Sequence, residues 1–253
     1  MLTYSFFIFQ AQTFILRRTL LLAMAIHAGG MATAGGMTET IPPELERPIH
    51  VQVPTALRHL DLSEYRAHFL VRIGRDGRVM DKVCLEASHP GLINRAESAL
   101  AEARFRPALE DNESVVSDIM VSIPFHHPTL GQSGTVEVSG LDHIQTTITG
   151  VAPGEVRFHA TTPRELDEPL RIIERGQTYI PTDADGTPVH GSAVAEFYVN
   201  EKGETRMPKI IEADHEAIAD AAIRNVLETR FEPPTRNKRP TVVRVRMPFS
   251  FDP

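Results

Sequence analysis

The residues that could carry out chemistry are few: one cysteine, one histidine pair and one acidic turn. Cys84 lies in a segment with the alternation of a strand, where a lone cysteine is usually a small packing residue, and a nucleophilic cysteine needs a base beside it. His126 and His127 follow a strand, and neighbouring strand residues point to opposite faces, which is poorly suited to metal chelation. Asp183 and Asp185 lie in a turn that matches part of a calcium loop, but both ends of that loop lack the required acidic ligands. We therefore expect no catalytic residue, no metal site and no cofactor; an exported hydrolase that uses Cys84 or a histidine is the alternative.

The composition is that of a folded chain that is poorly suited to nucleic acids. The 253 residues are 42% hydrophobic and 23% charged, which is too apolar for a disordered chain and long enough for one or two domains. The 26 Lys and Arg against 33 Asp and Glu give a net charge of −7, which is unfavourable for binding a polyanion. A single cysteine excludes an intramolecular disulfide, and the lack of Trp argues against an aromatic-lined site. We expect neither a nucleic-acid partner nor a small-molecule substrate.

The N-terminal segment has the pattern of an export signal. Two apolar runs, residues 1–16 and 19–26, flank Arg17 and Arg18, and small residues follow at positions 32–34. This order predicts that residues 1–34 are a signal peptide that directs the chain to the periplasm. Neither apolar run reaches the length of about 20 residues that a spanning helix needs. An uncleaved inner-membrane anchor is the alternative, and only then do we expect membrane contact.

Most of the remaining chain contains the same pattern twice. Gly77 precedes Phe105 by 28 residues, and Gly203 precedes Phe231 by the same distance. The motif residues that recur with these are Pro107, Pro124 and Phe125 in the first half, and Pro233, Pro248 and Phe249 in the second. Such constant spacing predicts a tandem duplication. Its parts are a first segment with its lead-in at residues 35–128, a linker with short strands at residues 129–162, and a second segment at residues 163–253.

The hydrophobic periodicity predicts a β-β-α-β unit in each segment, and hence an α+β fold. The predicted first strands are residues 67–73 and 193–199, the helices follow residues 90 and 214, and the last strands are residues 115–125 and 241–251. Asp214 is placed to cap the second helix. We expect each unit to be a small three-stranded, mostly antiparallel sheet in the order second–first–last strand, with one helix packed on a face.

The motif residues have structural explanations. Gly77 and Gly203 suit tight turns that need a positive φ. Phe105 and Phe231 are expected to fill the core where the helix meets the last strand. The prolines two residues later are expected to prevent the helix from continuing.

The ordered motif resembles the TonB C-terminal domain. The residues that carry this resemblance are Gly77, Arg104, Phe105, Pro107, Pro124 and Phe125, and again Gly203, Arg230, Phe231, Pro233, Pro248 and Phe249. The resemblance implies a periplasmic module of a Gram-negative cell that binds a receptor peptide by adding it as a strand and links inner-membrane energy to outer-membrane transport. The long Pro/Lys/Glu-rich spacer of an energy transducer is missing from this sequence.

The last strand of the second segment is the expected binding site. The order second–first–last places this strand at a sheet edge, where a peptide backbone can pair with it. Its alternation buries Val243 and Val245 and leaves Val242, Arg244 and Arg246 on the other face as the predicted partner-binding residues. We therefore expect a non-enzymatic, exported protein that binds a protein or peptide partner in the cell envelope, such as an outer-membrane receptor. The alternative is a membrane-anchored energy transducer of the TonB type. We also expect Val245→Pro to abolish capture of the partner.

Overall fold

The described part of the chain is a mixed α+β structure built mainly from strands, with two α-helices and several small sheets. The computed structural model describes residues 40–60, 62, 64–129, 134–141, 157–177 and 179–251. All of these residues lie in the unit Thr38–Pro253. The predicted signal peptide and the predicted linker strand at residues 144–149 lie outside the described residues. No helix within the described ranges is long and apolar enough to cross a membrane.

The elements follow one another in similar order in the two halves. The first half and the linker contain β1 (Thr40–Ile41), β2 (Glu44–Leu45), β3 (Val51–Gln52), β4 (Arg66–Ile73), β5 (Val79–Ala87), α1 (Ile93–Glu102), β6 (Phe105–Arg106), β7 (Ala108–Glu110), β8 (Glu113–Val115), β9 (Ser117–His126), β10 (Glu137–Ser139) and β11 (Phe158–His159). The second half contains β12 (Ile172–Glu174), β13 (Gly191–Val199), β14 (Thr205–Ala213), α2 (Glu216–Glu228), β15 (Arg230–Phe231), β16 (Thr235–Arg236), β17 (Arg239–Pro240) and β18 (Val243–Phe251). Short 3-10 helices lie at Thr55–Leu57, Pro90–Leu92 and Pro163–Glu165.

The main sheet of the first segment is larger than expected. Its strands follow the order β10-β9-β4-β5-β11, and β3 pairs in parallel with the end of β9, which makes six strands. The expectation of a three-stranded sheet was therefore wrong for this segment. The additional strands come from the lead-in and the linker, whose short apolar stretches were too brief to assign to an edge from sequence alone.

The second segment forms a three-stranded antiparallel sheet in the order β14-β13-β18. Buried and half-buried residues alternate along β13, as they do along β4, because one face of each sheet is covered by a helix. The second–first–last order is the one predicted from the sequence for this sheet. The sheet therefore ends at β18 within the described residues.

Each helix buries one apolar stripe against its sheet. Ala96 and Leu100 of α1 are fully buried in the same cluster as Phe69 and Val71 of β4. In the second segment, Ile218 and Ala222 of α2 form a smaller buried cluster with Ala193 of β13. These contacts hold each first strand beneath a helix.

The start of α2 differs from the expectation. His215, and not Asp214, is the N-cap, and its ring nitrogen Nδ1 accepts a hydrogen bond from the Ala217 amide at 3.1 Å. The Asp214 carboxylate instead accepts hydrogen bonds from the amide and hydroxyl of Ser192 in β13, at 2.7 and 2.9 Å. Asp214 is therefore used to tie the end of β14 to the first strand. His89 makes the corresponding cap before α1.

Candidate functional site: the outer edge of the last strand

Among the described residues, the outer side of β18 is covered at its beginning only. The Thr161 amide donates a hydrogen bond to the Val242 carbonyl at 2.7 Å, and the Arg244 amide donates one to the Thr161 carbonyl at 2.9 Å. Thr161 and Val243 thus form an isolated parallel bridge. Because the Arg244 amide bonds to Thr161, it points away from β13.

The next part of this side pairs with no strand in the described part of the chain. Along a strand, successive backbone amides point alternately toward one neighbouring strand and toward the other. The Arg246 amide therefore points outward, as the Arg244 amide does. Pro248 is the next outward position, and it has no amide hydrogen, which is tolerated at an edge. We call the outer side of residues 246–249 the open edge. β18 is the terminal strand of its sheet in the described part of the chain.

The amide of Val245 faces the other way, toward β13. Val245 is paired with Phe197 in the ladder between β18 and β13. Val245→Pro would break this inner ladder and disturb a buried side chain, so it cannot test the edge separately from the fold. The loss of capture expected for Val245→Pro stays a prediction, and a proline at another position is needed to test the edge alone.

The corresponding edge of the first segment is covered. β10 pairs with β9 through Val138 and Val121, and β3 pairs with it through Val51 and Phe125. Pro124 lies between these two pairings. The two last strands therefore have similar sequences but different surroundings.

The predicted partner-binding side chains differ in their exposure to solvent. Val242 is only 2% exposed and packs with Val83 and Met207, so its prediction as a surface residue was wrong. Strand alternation could not reveal this because a second apolar contact, formed with the first segment, covers the outer face there. Arg244 and Arg246 are exposed, as expected.

Both arginines have partners on the neighbouring strand. Arg246 Nε lies 2.6 Å from Glu196 Oε2. The Arg244 side chain hydrogen-bonds Tyr198, whose pKa is raised chiefly by burial of the phenol. The Arg246 charge is thus largely balanced, which leaves the backbone as the main recognition element of the open edge.

The motif glycines hold the turn between the first two strands of each unit against the core phenylalanine. Gly77 has a φ of +73° and Gly203 one of +77°. The Phe105 amide donates to the Gly77 carbonyl at 2.9 Å, and the Phe231 amide donates to the Gly203 carbonyl at 2.9 Å. A Cβ at either glycine would lie 1.9 Å from the carbonyl oxygen of the phenylalanine. Both phenylalanines are buried, at 1% and 2% exposure.

The motif prolines do not have the role that was expected of them. The helices end at Glu102 and Glu228, well before Pro107 and Pro233. The chain is already extended at the glycine contact, so the prolines do not end the helices. Among the remaining motif residues, Phe125 is buried, Pro124 and Phe249 are half-buried and Pro248 is exposed.

Comparison with known families matches part of this arrangement. Residues 175–253 match the family model of the Gram-negative bacterial TonB protein C-terminal. This range contains β13, β14 and β18, which form the sheet with the open edge, and α2, which packs on that sheet. The resemblance stated from the motif is thereby confirmed for the second segment. Comparisons with curated proteins and with solved structures gave no match.

The two segments are in contact at a place separate from the open edge. The residues that form this contact do not belong to the repeated motif. Asp81 Oδ2 accepts a hydrogen bond from the Met207 amide at 2.7 Å, and Asp81 Oδ1 lies 3.6 Å from Arg206. Arg72 donates to the Pro208 carbonyl at 3.1 Å. These polar contacts lie beside the apolar cluster that includes Val242.

The residues considered for catalysis are built into the fold. Cys84 is 3% exposed, and burial raises the pKa of its thiol well above the ordinary value, which keeps it neutral. Its Sγ lies 3.4 Å from the Glu86 carbonyl oxygen. His126 is exposed, whereas His127 is buried and packs against Tyr65, with ring centroids 5.2 Å apart and ring planes tilted by 33°. Within the described ranges, no three His, Cys, Asp or Glu side chains are grouped to hold a metal ion.

Proposed function

We propose that this chain is an exported, non-enzymatic periplasmic protein that binds an envelope protein by adding one of its strands to the open edge of β18. The match of residues 175–253 points to TonB-like interactions in the envelope or with outer-membrane transport proteins, because the family mediates protein binding and not catalysis. The observation that carries the proposal is the outward Arg246 amide on a terminal strand. A partner strand would gain backbone hydrogen bonds there.

We also propose that the two segments arose by duplication of one TonB-like unit. Both the sequence and the geometry support this, because the Gly77–Phe105 and Gly203–Phe231 contacts have the same backbone hydrogen bond. In both contacts the glycine also lies equally close to the carbonyl oxygen of the phenylalanine. The His89 and His215 caps recur at the same spacing of 126 residues. Under this proposal the first unit has its binding edge filled by β10 and β3, and the second retains an available edge.

The position of the edge allows a backbone-specific test. Arg246→Ala removes the side chain and its ion pair with Glu196, an exposed contact that contributes about 0–1 kcal/mol. Arg246→Pro removes the same side chain and also the outward amide donor, while the inner ladder keeps its donors. Arg246→Ala is therefore the matched control for Arg246→Pro.

The assay is quantitative capture of outer-membrane proteins from an envelope extract on the immobilised chain. We expect Arg246→Ala to retain most of the capture and Arg246→Pro to lose it at least about tenfold, because the lost donor and the proline ring both block strand addition. Circular dichroism establishes that both variants are folded. Equal capture by the two folded variants would contradict strand addition at this edge.

The proposed location rests on the N-terminal segment and has its own test. N-terminal sequencing of the mature protein should find Gly35 as its first residue, with the protein in the periplasmic fraction. An intact Met1 and recovery with the inner membrane would instead support the anchored energy transducer.

A further inference from the structure

A cleft of about 630 Å³ lies beside the contact between the two segments. β5 and α1 of the first segment form one side, and the hairpin formed by β16 and β17 contributes to the other. Its volume is within the range of roughly 300–1,000 Å³ that is typical of sites for small ligands. The open edge of β18 does not line this cleft, so the two features are separate.

The cleft is rich in cations although the chain is acidic overall. The basic residues that line it are Lys82, Arg157, Lys202, Arg206, Arg236 and Arg239, twice as many as the carboxylates that do so. One of those carboxylates, Asp81, is already bonded to Met207 and Arg206. A concentration of positive charge against a net charge of −7 favours an anion in this cleft.

Two of the arginines face each other across a rigid hairpin. Arg236 and Arg239 are direct cross-strand partners, an arrangement in which like charges are destabilising. Asn237 and Lys238 form the tip with φ values of 53° and 60°, as a two-residue hairpin turn requires. The Asp167 carboxylate accepts hydrogen bonds from both tip amides, at 2.8 and 2.7 Å. The hairpin therefore holds the two arginines in directly opposed positions of its register.

The fold itself does not require this pair of arginines. The hairpin formed by β7 and β8 lies 126 residues earlier and pairs Glu110 with Glu113 at the corresponding positions. Its tip residues, Asp111 and Asn112, also have positive φ values, of 49° and 67°. The same hairpin thus forms with two acidic residues in one segment and with two arginines in the other. Hairpin formation therefore does not explain the arginines, and a role in the cleft does.

The groups around the arginines leave room for an anion. Arg236 lies 3.4 Å from Glu165 and donates to the His159 ring, whereas Arg239 forms no ion pair within the described part of the chain. Burial, and then the charge of Arg236, lowers the pKa of His159. Burial, and then Arg239, does the same for His89. Both rings are therefore neutral at neutral pH, and of the two only His159 is in the cleft lining.

We propose that this cleft binds a small organic anion through a carboxylate or phosphate group held between Arg236 and Arg239. The planar guanidinium groups offer paired donors that match the oxygens of either group. The ligand would be a bound effector, and the thiol in the lining, Cys84, stays neutral because burial raises its pKa. This inference goes beyond the proposed strand addition and does not depend on it.

The test is isothermal titration of the purified full chain with inorganic pyrophosphate and, separately, with citrate at the same low ionic strength. We expect saturable binding of one anion per chain, and the tighter of the two probes identifies the phosphate or the carboxylate class. Arg239→Gln should weaken binding at least about tenfold, because it removes charge-assisted hydrogen bonds without removing a structural ion pair. Arg239→Lys should give an intermediate loss, because it keeps the charge but not the paired donors.

Arg171→Gln is the matched control, since Arg171 is exposed, pairs with Glu168 and lies outside the cleft lining. Equal weakening by Arg171→Gln and Arg239→Gln would mean non-specific charge attraction and would overturn the proposal. The lack of saturable binding by either anion would overturn it too. Dimers that disappear in Arg239→Gln and also in Glu110→Gln/Glu113→Gln would assign the cleft to the acidic hairpin of a second copy instead.

Discussion

Gly203→Ala should destabilise the second segment much more than a glycine substitution at an ordinary turn. The substitution adds one methyl group at a residue whose φ is +77°. That methyl carbon would lie 1.9 Å from the Phe231 carbonyl oxygen and 2.9 Å from its carbonyl carbon. These are backbone atoms of a buried residue, so they cannot move aside as the end of a flexible side chain could.

The expected cost is the sum of two effects. A left-handed conformation costs a non-glycine residue about 1–2 kcal/mol. Moving the Phe231 carbonyl away breaks the hydrogen bond from the Phe231 amide to the Gly203 carbonyl, which contributes about 1 kcal/mol, and disturbs the packing of the phenylalanine ring. We therefore expect a loss of about 2–3 kcal/mol in the free energy of unfolding, to which the disturbed packing of the ring adds.

Gly186→Ala separates the two effects. Gly186 has a φ of +82°, but a Cβ there would meet nothing within 4 Å. This variant should lose only the conformational part, about 1–2 kcal/mol. The measurement is urea-induced unfolding, monitored by far-UV circular dichroism. The variants are compared only if the free energy of unfolding depends on urea concentration with the same slope. Equal losses for Gly203→Ala and Gly186→Ala would refute the argument from the close approach.

Two further predictions concern titratable groups. Hydrogen bonds from Thr162 lower the pKa of Glu165 from its ordinary 4.5 to about 2, so its carboxylate stabilises the fold above pH 4.5 and this contribution is lost as the pH falls from 4.5 to about 2. The urea midpoint of Glu165→Gln should therefore fall less than that of the wild type over this interval, and equal falls would contradict the assignment. Burial raises the pKa of Cys84, so a thiol reagent at neutral pH should modify it at least about a hundredfold more slowly in the native protein than in urea. Rapid native modification would reopen the cysteine-hydrolase alternative, which Cys84→Ala would then test by activity.

The sequence predicted what is determined locally. The alternation of β13 and the glycine before β14 are properties of short segments, and they indicated the three strands of the second sheet in their observed order. The positive φ of Gly203 was also predictable, because a tight turn after a strand favours glycine. The sequence showed the repeated spacing of 28 residues between the glycine and the phenylalanine, but it did not show that Gly203 lies close to Phe231.

The features that were missed depend on contacts between distant segments. Val242 has the alternation of an exposed residue, yet it is buried because Val83 and Met207 cover it. Asp214 is a suitable helix cap by residue type, but Ser192 of a neighbouring strand provides two donors for the same carboxylate. The opposed arginines of the cleft could have been noticed from the sequence as a reversal of charge at the 126-residue spacing. Without the register of the hairpin, that reversal did not indicate that Arg236 and Arg239 face each other.

The outer sides of the two last strands differ, and this difference limits how many partner strands they could bind. An uncovered strand edge is a template for any extended chain, so two such edges in one protein would invite unwanted pairing. In the first segment Val51 of β3 and Val138 of β10 occupy the outer side of β9. In the second, Thr161 covers only the start of β18 and Pro248 removes one outward donor, which leaves a short edge centred on the Arg246 amide. If strand addition occurs at a last strand, this arrangement restricts it within the described residues to one short partner strand, paired with β18 from Arg246 onward.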